Sequence, residues 1–222
     1  MPQIFHRSFN TVSKVSIFGA VFLLAALGWA LGVLARSSYI TGEHIARVQP
    51  LPFSHQHHVG QLNIDCRYCH GSVEESSFAG MPATQTCLNC HHEIWFGSSE
   101  LEPLRESYRR GRPIVWERLH NLADFAYFDH SIHVRKGIGC VTCHGRVDQM
   151  PLLYQDKSLL MEWCLDCHRD PRPHLRPRAQ VFNMAWAPEE ANEDAKALGE
   201  RLYAEYAIRP ARQITSCSTC HR

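Results

Sequence analysis

One stretch of the chain is apolar without a break. Val15 to Ala35 (VSIFGAVFLLAALGWALGVLA) runs 21 residues without a charge, with Lys14 on one side and Arg36 on the other. A helix of about 20 apolar residues crosses the ~30 Å hydrocarbon core of a bilayer. The apolar part of a cleaved signal peptide is shorter, about 7–15 residues, and precedes a small-residue cleavage site. No A-x-A site follows here and the sequence opens on Met1. Residues 15–36 are therefore expected to remain as a transmembrane signal anchor; a helix buried in a protein core is the competing reading. Arg7 and Lys14 precede the span. The positive-inside tendency then makes 1–14 a cytoplasmic tail and puts 37–222 on the periplasmic, extracytoplasmic side of the inner membrane.

The pattern changes beyond Arg36. Residues 37–52 read as a linker ending in the turn-forming run Gln49-Pro50-Leu51-Pro52. Two later segments carry helical periodicity. Ser99 and Glu102 suit a capping box ahead of Leu101, Leu104 and Tyr108, and Gly111-Arg112-Pro113 would end that helix. From Pro188 to Ala207 the signal is stronger. Proline opens the first turn, Glu189 and Glu190 favour the helix dipole, and Leu198, Leu202 and Tyr206 recur at a spacing of four. Strand alternation is scarce elsewhere. The expected fold is mainly α and irregular, with one N-terminal transmembrane helix.

Cysteine spacing supplies the chemistry. The ten cysteines form five pairs: Cys66/Cys69, Cys87/Cys90, Cys140/Cys143, Cys164/Cys167 and Cys217/Cys220. Each pair is followed at once by a histidine: His70, His91, His144, His168 and His221. C-x-x-C-H is the attachment sequence for c-type haem. The thiols form thioethers to the porphyrin and the histidine is the proximal iron ligand. Zinc sites combine two such pairs or a Cys/His mixture, and five pairs do not divide into twos. Disulfides would not place partners two residues apart five times. The reading is five covalently bound haem c groups on residues 37–222, a multihaem cytochrome c domain.

An internal repeat organises these motifs. Phe53-Ser54-His55-Gln56-His57-His58-Val59 precedes the first two, and Phe128-Asp129-His130-Ser131-Ile132-His133-Val134 precedes the next two. Met81-Pro82 and Met150-Pro151 fall between the motifs of each copy. This suggests two dihaem repeats plus a C-terminal haem. The sixth iron position decides whether each haem carries electrons or binds a ligand. His55/His58 and His130/His133 are spaced i, i+3, on one side of a helical turn. They are the distal candidates, with His120 as a fifth; solvent-exposed histidines are the plainer alternative. Met81, Met150 and Met161 are alternative axial ligands, or gap-fillers against porphyrin. His92 is too close to His91 to share its iron. His174, in Pro171-Arg172-Pro173-His174, suits a surface or propionate contact.

Charge narrows the partners. Lys+Arg is 23 and Asp+Glu 22, a net +1 with no basic run, so no nucleic acid is expected. Only Lys14, Lys136, Lys157 and Lys196 are lysines, leaving 23 − 4 = 19 arginines. The planar guanidinium pairs well with carboxylates such as haem propionates, although codon bias gives the same excess.

Taken in order, several features resemble one family. They are the N-terminal anchor, the two Phe-x-His-x-x-His openings, Met81-Pro82-Ala83-Thr84-Gln85-Thr86-Cys87-Leu88-Asn89-Cys90-His91, Trp163-Cys164-Leu165-Asp166-Cys167-His168-Arg169 and the closing Cys217-Ser218-Thr219-Cys220-His221-Arg222. Together they are similar to the pentahaem cytochrome c subunit of alternative complex III. That resemblance implies an electron-transfer subunit of a quinol-oxidising membrane complex, not catalytic alone. Its implied partners are an iron–sulfur subunit, polytopic quinol-binding subunits, a monohaem cytochrome c and a periplasmic electron acceptor. Two rivals stand beside it. A membrane-anchored multihaem quinol dehydrogenase would carry its first motif soon after the span, whereas Cys66 lies 30 residues beyond Arg36. A multihaem reductase with an open haem site would replace one proximal histidine with lysine, whereas here all five are histidine.

Overall fold

The computed structural model describes residues 4–221; residues 1–3 of the N-terminal tail and Arg222 lie outside it. The chain divides into two compact units, one up to Gly42 and one from Glu43.

The first unit is dominated by a helix from Ser8 to Ala35. Its 28 residues extend ~42 Å at 1.5 Å per residue. It begins ahead of the apolar run, because Ser8, Asn10, Thr11 and Ser13 continue the helix in polar form. None of its residues is buried by the protein. Phe18, Phe22, Leu23, Leu24 and Trp29 all stand exposed. Apolar surface of this extent is favourable only in apolar surroundings, which makes the helix a candidate membrane anchor and disfavours the buried-core alternative. A short turn, Ser38–Thr41, follows and closes on Gly42 in the left-handed region (φ 73°).

The second unit consists of short helices and irregular chain. Among the described residues strand pairing amounts to isolated bridges, Glu43 with Gln155 and Ile138 with Leu175. Its core is divided among three clusters. In one, the helix Ala195–Glu205 turns Leu198 and Leu202 inward, with Tyr206, onto Ile138, Leu175 and Trp186. The Leu198/Leu202/Tyr206 stripe is thus buried as its spacing predicts, but residues 188–207 do not form one helix. Pro188–Ala191 is a 3-10 turn that ends on Asn192 in the left-handed region (φ 52°). Asp194 then starts a new helix, its carboxylate accepting from Lys196 N and Ala197 N. An acceptor side chain of this kind makes a strong helix start.

The second cluster joins Leu51, Leu88, Leu101 and Leu104, edged by Ile114 and Trp116. The helix Glu102–Arg110 supplies Leu104 and stops on Gly111 (φ 60°). The expected Ser99/Glu102 capping box is not formed: Ser98 accepts from Glu100 N to cap the 3-10 turn Ser99–Leu101, and the helix follows from Leu101 without a side-chain cap. Leu51 also corrects the linker reading. Glu43 bridges Gln155, Leu51 is buried in this cluster, and Gln49 exchanges two hydrogen bonds with the Glu117 backbone, each 3.0 Å. The third cluster is Val147, Met150 and Met184.

Leu202 is only 1% exposed. Leu202→Ala should lower the stability of the haem-loaded protein by about 2–5 kcal/mol. Tyr108→Ala, at an exposed position, should stay within about 0.5 kcal/mol. Denaturant unfolding of both variants checks the contrast.

Candidate functional site

Each cysteine pair occupies one helical turn. Cys66–Cys69, Cys140–His144 and Cys217–Cys220 are short helices in themselves. Cys87/Cys90 and Cys164/Cys167 lie within Thr84–His91 and Met161–Arg169. Residues three apart share a helix face, so both thiols of a pair can meet one edge of a planar ring. Burial pushes the Cys140 and Cys143 thiols up to about 12. Among the described residues no three His, Cys, Asp or Glu side chains converge as a metal cage. The pairs therefore do not assemble two by two in the manner of zinc sites.

The five turns are neighbours in an order different from the sequence. Cys87 lies within electrostatic reach of Cys69, Cys66 of Cys140, Cys143 of Cys164 and Cys167, and Cys164 of Cys220. The sequence pattern alone gives no hint that the second motif stands at one end of this row.

The histidines after the pairs are aimed in a common way. Nδ1 of His70 meets the Gly80 carbonyl at 2.7 Å, and that of His91 the Ile94 carbonyl at 3.0 Å. His168 meets Ile214 O at 2.8 Å and His221 meets Phe125 O at 3.0 Å. A carbonyl only accepts, so Nδ1 carries the proton in all four and donates it. Nε2 is left with a free lone pair, the arrangement by which a metal-bound histidine is oriented from behind. His144 differs: its Nδ1 stands 3.2 Å from Nε2 of His120.

The two Phe-x-His-x-x-His segments adopt matching geometry. Phe53 meets His55 edge-on at 4.8 Å and stacks on His58 at 4.4 Å. Phe128 meets His130 edge-on at 4.7 Å and stacks on His133 at 4.5 Å. The phenyl ring fixes both imidazoles, a role that spacing alone left unread but that the recurrence of Phe could have signalled. Nδ1 of His58, His130 and His133 donates to the carbonyls of Ser54, Ser77 and Asp129 at 2.7–2.8 Å. His130–Arg135 is an α-helix begun by Asp129, whereas Gln56–Gln61 is a π-helix, a form often found at functional sites.

Each segment docks on backbone that follows a motif of the other copy. Gln56 N donates to Met150 O, while His130 N and Ser131 N donate to Ser77 O and Ser76 O. This docking aims the rings. His58 and His91 have centroids 6.0 Å apart, His130 and His144 6.3 Å, and His133 and His168 6.1 Å. Two imidazoles bonded at about 2.0–2.1 Å to opposite sides of one metal hold their centroids ~6 Å apart. His55 has His70 and His58 as its electrostatic neighbours, and burial holds it down to about 4. Burial likewise holds His144 down to about 3. Both are thus neutral, as a metal ligand must be. The Nδ1 atom of His55 is buried without a hydrogen-bond partner, so the protein alone does not satisfy this position. Paired thiols, a back-anchored histidine and a second histidine opposite it fit a c-type haem.

The remaining candidates sit elsewhere. Met81 is exposed beside Cys87, in a shallow hollow edged by Ile114 and Trp116. Met150 is buried against Val147 and Met184 next to Cys140. Met161 is exposed at the first position of the helix that carries Cys164. His57 bonds Gln61, His92 bonds the Leu88 carbonyl, and His44 packs edge-on against Tyr154. His174 lies in the turn Arg172–His174.

No family model matches the chain. Over 142 residues it is 30% identical to the multihaem cytochrome c subunit of menaquinone reductase from Nitratidesulfovibrio vulgaris (strain Hildenborough). The match covers 54% of this chain and 67% of that protein.

Gly60 tests the docking of the first segment. A Cβ there would lie 2.2 Å from the Asp148 carbonyl oxygen, a backbone atom that no rotamer change can move. Gly60→Ala should push the His55/His58 turn off residues 147–150, at about 1–3 kcal/mol of stability. The low-spin optical bands of the haem-loaded protein should broaden. Gly97→Ala, which meets nothing within 4 Å, should do neither.

Proposed function

The chain belongs to the same multihaem cytochrome c family as the N. vulgaris subunit, and on that premise we propose that it relays electrons through five covalently attached haems inside a membrane-bound quinone oxidoreductase. The three histidine–histidine ring pairs, 6.0–6.3 Å apart, carry this reading. Bound haem supplies a one-electron iron couple. The residues do the rest. Cys66, Cys69, Cys87, Cys90, Cys140, Cys143, Cys164, Cys167, Cys217 and Cys220 fix the macrocycles, and His70, His91, His144, His168 and His221 are the proximal ligands. His55, His58, His130 and His133 close the sixth positions facing His70, His91, His144 and His168. Two histidines on an iron favour electron transfer over ligand binding, and four of the five sites have a second histidine; the site at His221 has none assigned. The matching Phe–His–His geometries support two dihaem repeats followed by a C-terminal haem.

The apolar helix anchors the chain in the inner membrane, with the haem unit on the periplasmic side, where Arg7 and Lys14 ahead of the span direct it. Within the complex the chain works beside an iron–sulfur subunit, polytopic quinol-binding subunits and a monohaem cytochrome c. It takes electrons from quinol oxidation toward a periplasmic acceptor, as its resemblance to the alternative complex III subunit implies. The relative's name favours a second reading in which the same relay feeds a menaquinone-reducing complex. The sequence of motifs is compatible with either direction.

Intact mass with a haemochrome assay should count five haems on the mature chain; four or fewer rejects the count. His58→Ala and His133→Ala should each turn one low-spin haem high-spin. The purified chain should be reduced slowly by a quinol analogue, and rapidly in the co-purified membrane complex. Rapid inhibitor-sensitive reduction of the chain alone would instead establish a quinol dehydrogenase. Reduction of menaquinone by the complex with no quinol oxidation would establish the second reading.

A further inference from the structure

His120 faces the back of an axial histidine. Its Nε2 lies 3.2 Å from Nδ1 of His144, and the two rings are 4.4 Å apart at 65°. His130 is also a neighbour of His144, its ring 6.3 Å away and within 11° of parallel. If His144 uses Nε2 toward His130, its Nδ1 must carry the proton, and Nε2 of His120 accepts it. The other four proximal histidines give that proton to a peptide carbonyl.

The segment that delivers His120 is irregular but fixed. Ile114 and Trp116 pack on the Leu51/Leu88/Leu101/Leu104 cluster. Gln49 brackets the Glu117 backbone from both sides, and Arg47 pairs with the Glu117 carboxylate at 2.8 Å. Arg118 bonds Asn121 at 3.0 Å across His120. A chain held at so many points sets one ring direction.

We propose that His120 is a positioning residue for the haem attached at Cys140 and Cys143: its Nε2 accepts the Nδ1 proton of His144, and so lowers the midpoint potential of that haem relative to a carbonyl-backed site. An imidazole nitrogen is a more basic acceptor than a peptide oxygen. It draws the proton further from His144 and leaves the iron-facing nitrogen more electron-rich. Partners behind a metal-bound histidine raise ligand basicity in this way, and a more basic ligand stabilises the ferric state. The inference rests on the haem reading above, and it departs from the expectation that His120 is itself a distal ligand.

The test is potentiometric titration with optical and EPR spectra of the haem-loaded chain, comparing wild type with His120→Leu and His120→Gln. The number of low-spin haems is expected to be the same as in wild type. One midpoint should shift upward in His120→Leu and return most of the way in His120→Gln, whose amide oxygen can still accept. Should His120→Leu fail to accumulate, His120→Asn against His120→Gln gives the same comparison, since the shorter amide falls short of His144. Unchanged midpoints in every variant would overturn the proposal. So would a new high-spin haem, which would make His120 a distal ligand and leave the relay intact. A wild-type chain with no haem on the Cys140/Cys143 peptide by mass would instead remove the underlying haem reading.

Discussion

A histidine aimed from behind is the constraint on which this structure depends. An imidazole that gives its Nδ1 proton to a fixed acceptor has its Nε2 direction set, to within the freedom of one hydrogen bond. Gly80, Ile94, Ile214 and Phe125 provide such acceptors to His70, His91, His168 and His221, and Ser54, Ser77 and Asp129 to His58, His130 and His133. A carbonyl inside a helix or sheet is already committed to the ladder. A carbonyl in a turn, or in the last turn of a helix, is not. Ile214 closes the short helix Ala211–Ile214, Gly80 lies in the left-handed region (φ 86°), and Phe125 and Ser77 lie in turns. The scarcity of long regular elements in this unit leaves many such carbonyls within reach of a ring, and Ser54 and Ser77 each accept both the backbone N–H and the Nδ1–H of one histidine.

The sequence made the local chemistry legible and left the long-range pairing hidden. Cys-x-x-Cys-His is a covalent motif within five positions, so all ten thiols and five histidines could be named. His55/His58 and His130/His133 were visible because they recur behind a phenylalanine. Nothing in spacing said that His58 would meet His91, or that Ile214 would back His168, because those contacts depend on how distant turns fold together. The Leu198/Leu202/Tyr206 stripe was legible as a periodicity; the break at Asn192 was not, because Asn and Asp compete with the helix through local hydrogen bonds. The arginine excess also told less than it promised. Arg67, Arg105, Arg109, Arg146, Arg169, Arg172 and Arg201 each already face a carboxylate of the protein, and exposed pairs of this kind contribute only about 0–1 kcal/mol.

Burial and neutrality work together at the centre of the row. His144 has His120, His130, His70 and His55 as electrostatic neighbours, and its pKa is depressed mainly by desolvation. A protonated imidazole there would face four others with no carboxylate among the contacts that shift it. The neutral state is the one that binds metal and accepts hydrogen bonds, so the packing that excludes water also selects the ligand form.

The reciprocal docking of the two Phe–His–His segments bears on how the polypeptide is assembled. His130 reaches back 53 residues to the Ser77 carbonyl, and Gln56 reaches forward to Met150. Each half therefore supplies part of the backbone on which the other half's histidine segment docks, and cutting between residues 92 and 128 would leave both segments without that support. Loop closures of this span must form before their contacts stabilise anything, which slows folding. Residues 53–92 thus reach their final packing only together with residues 128–150.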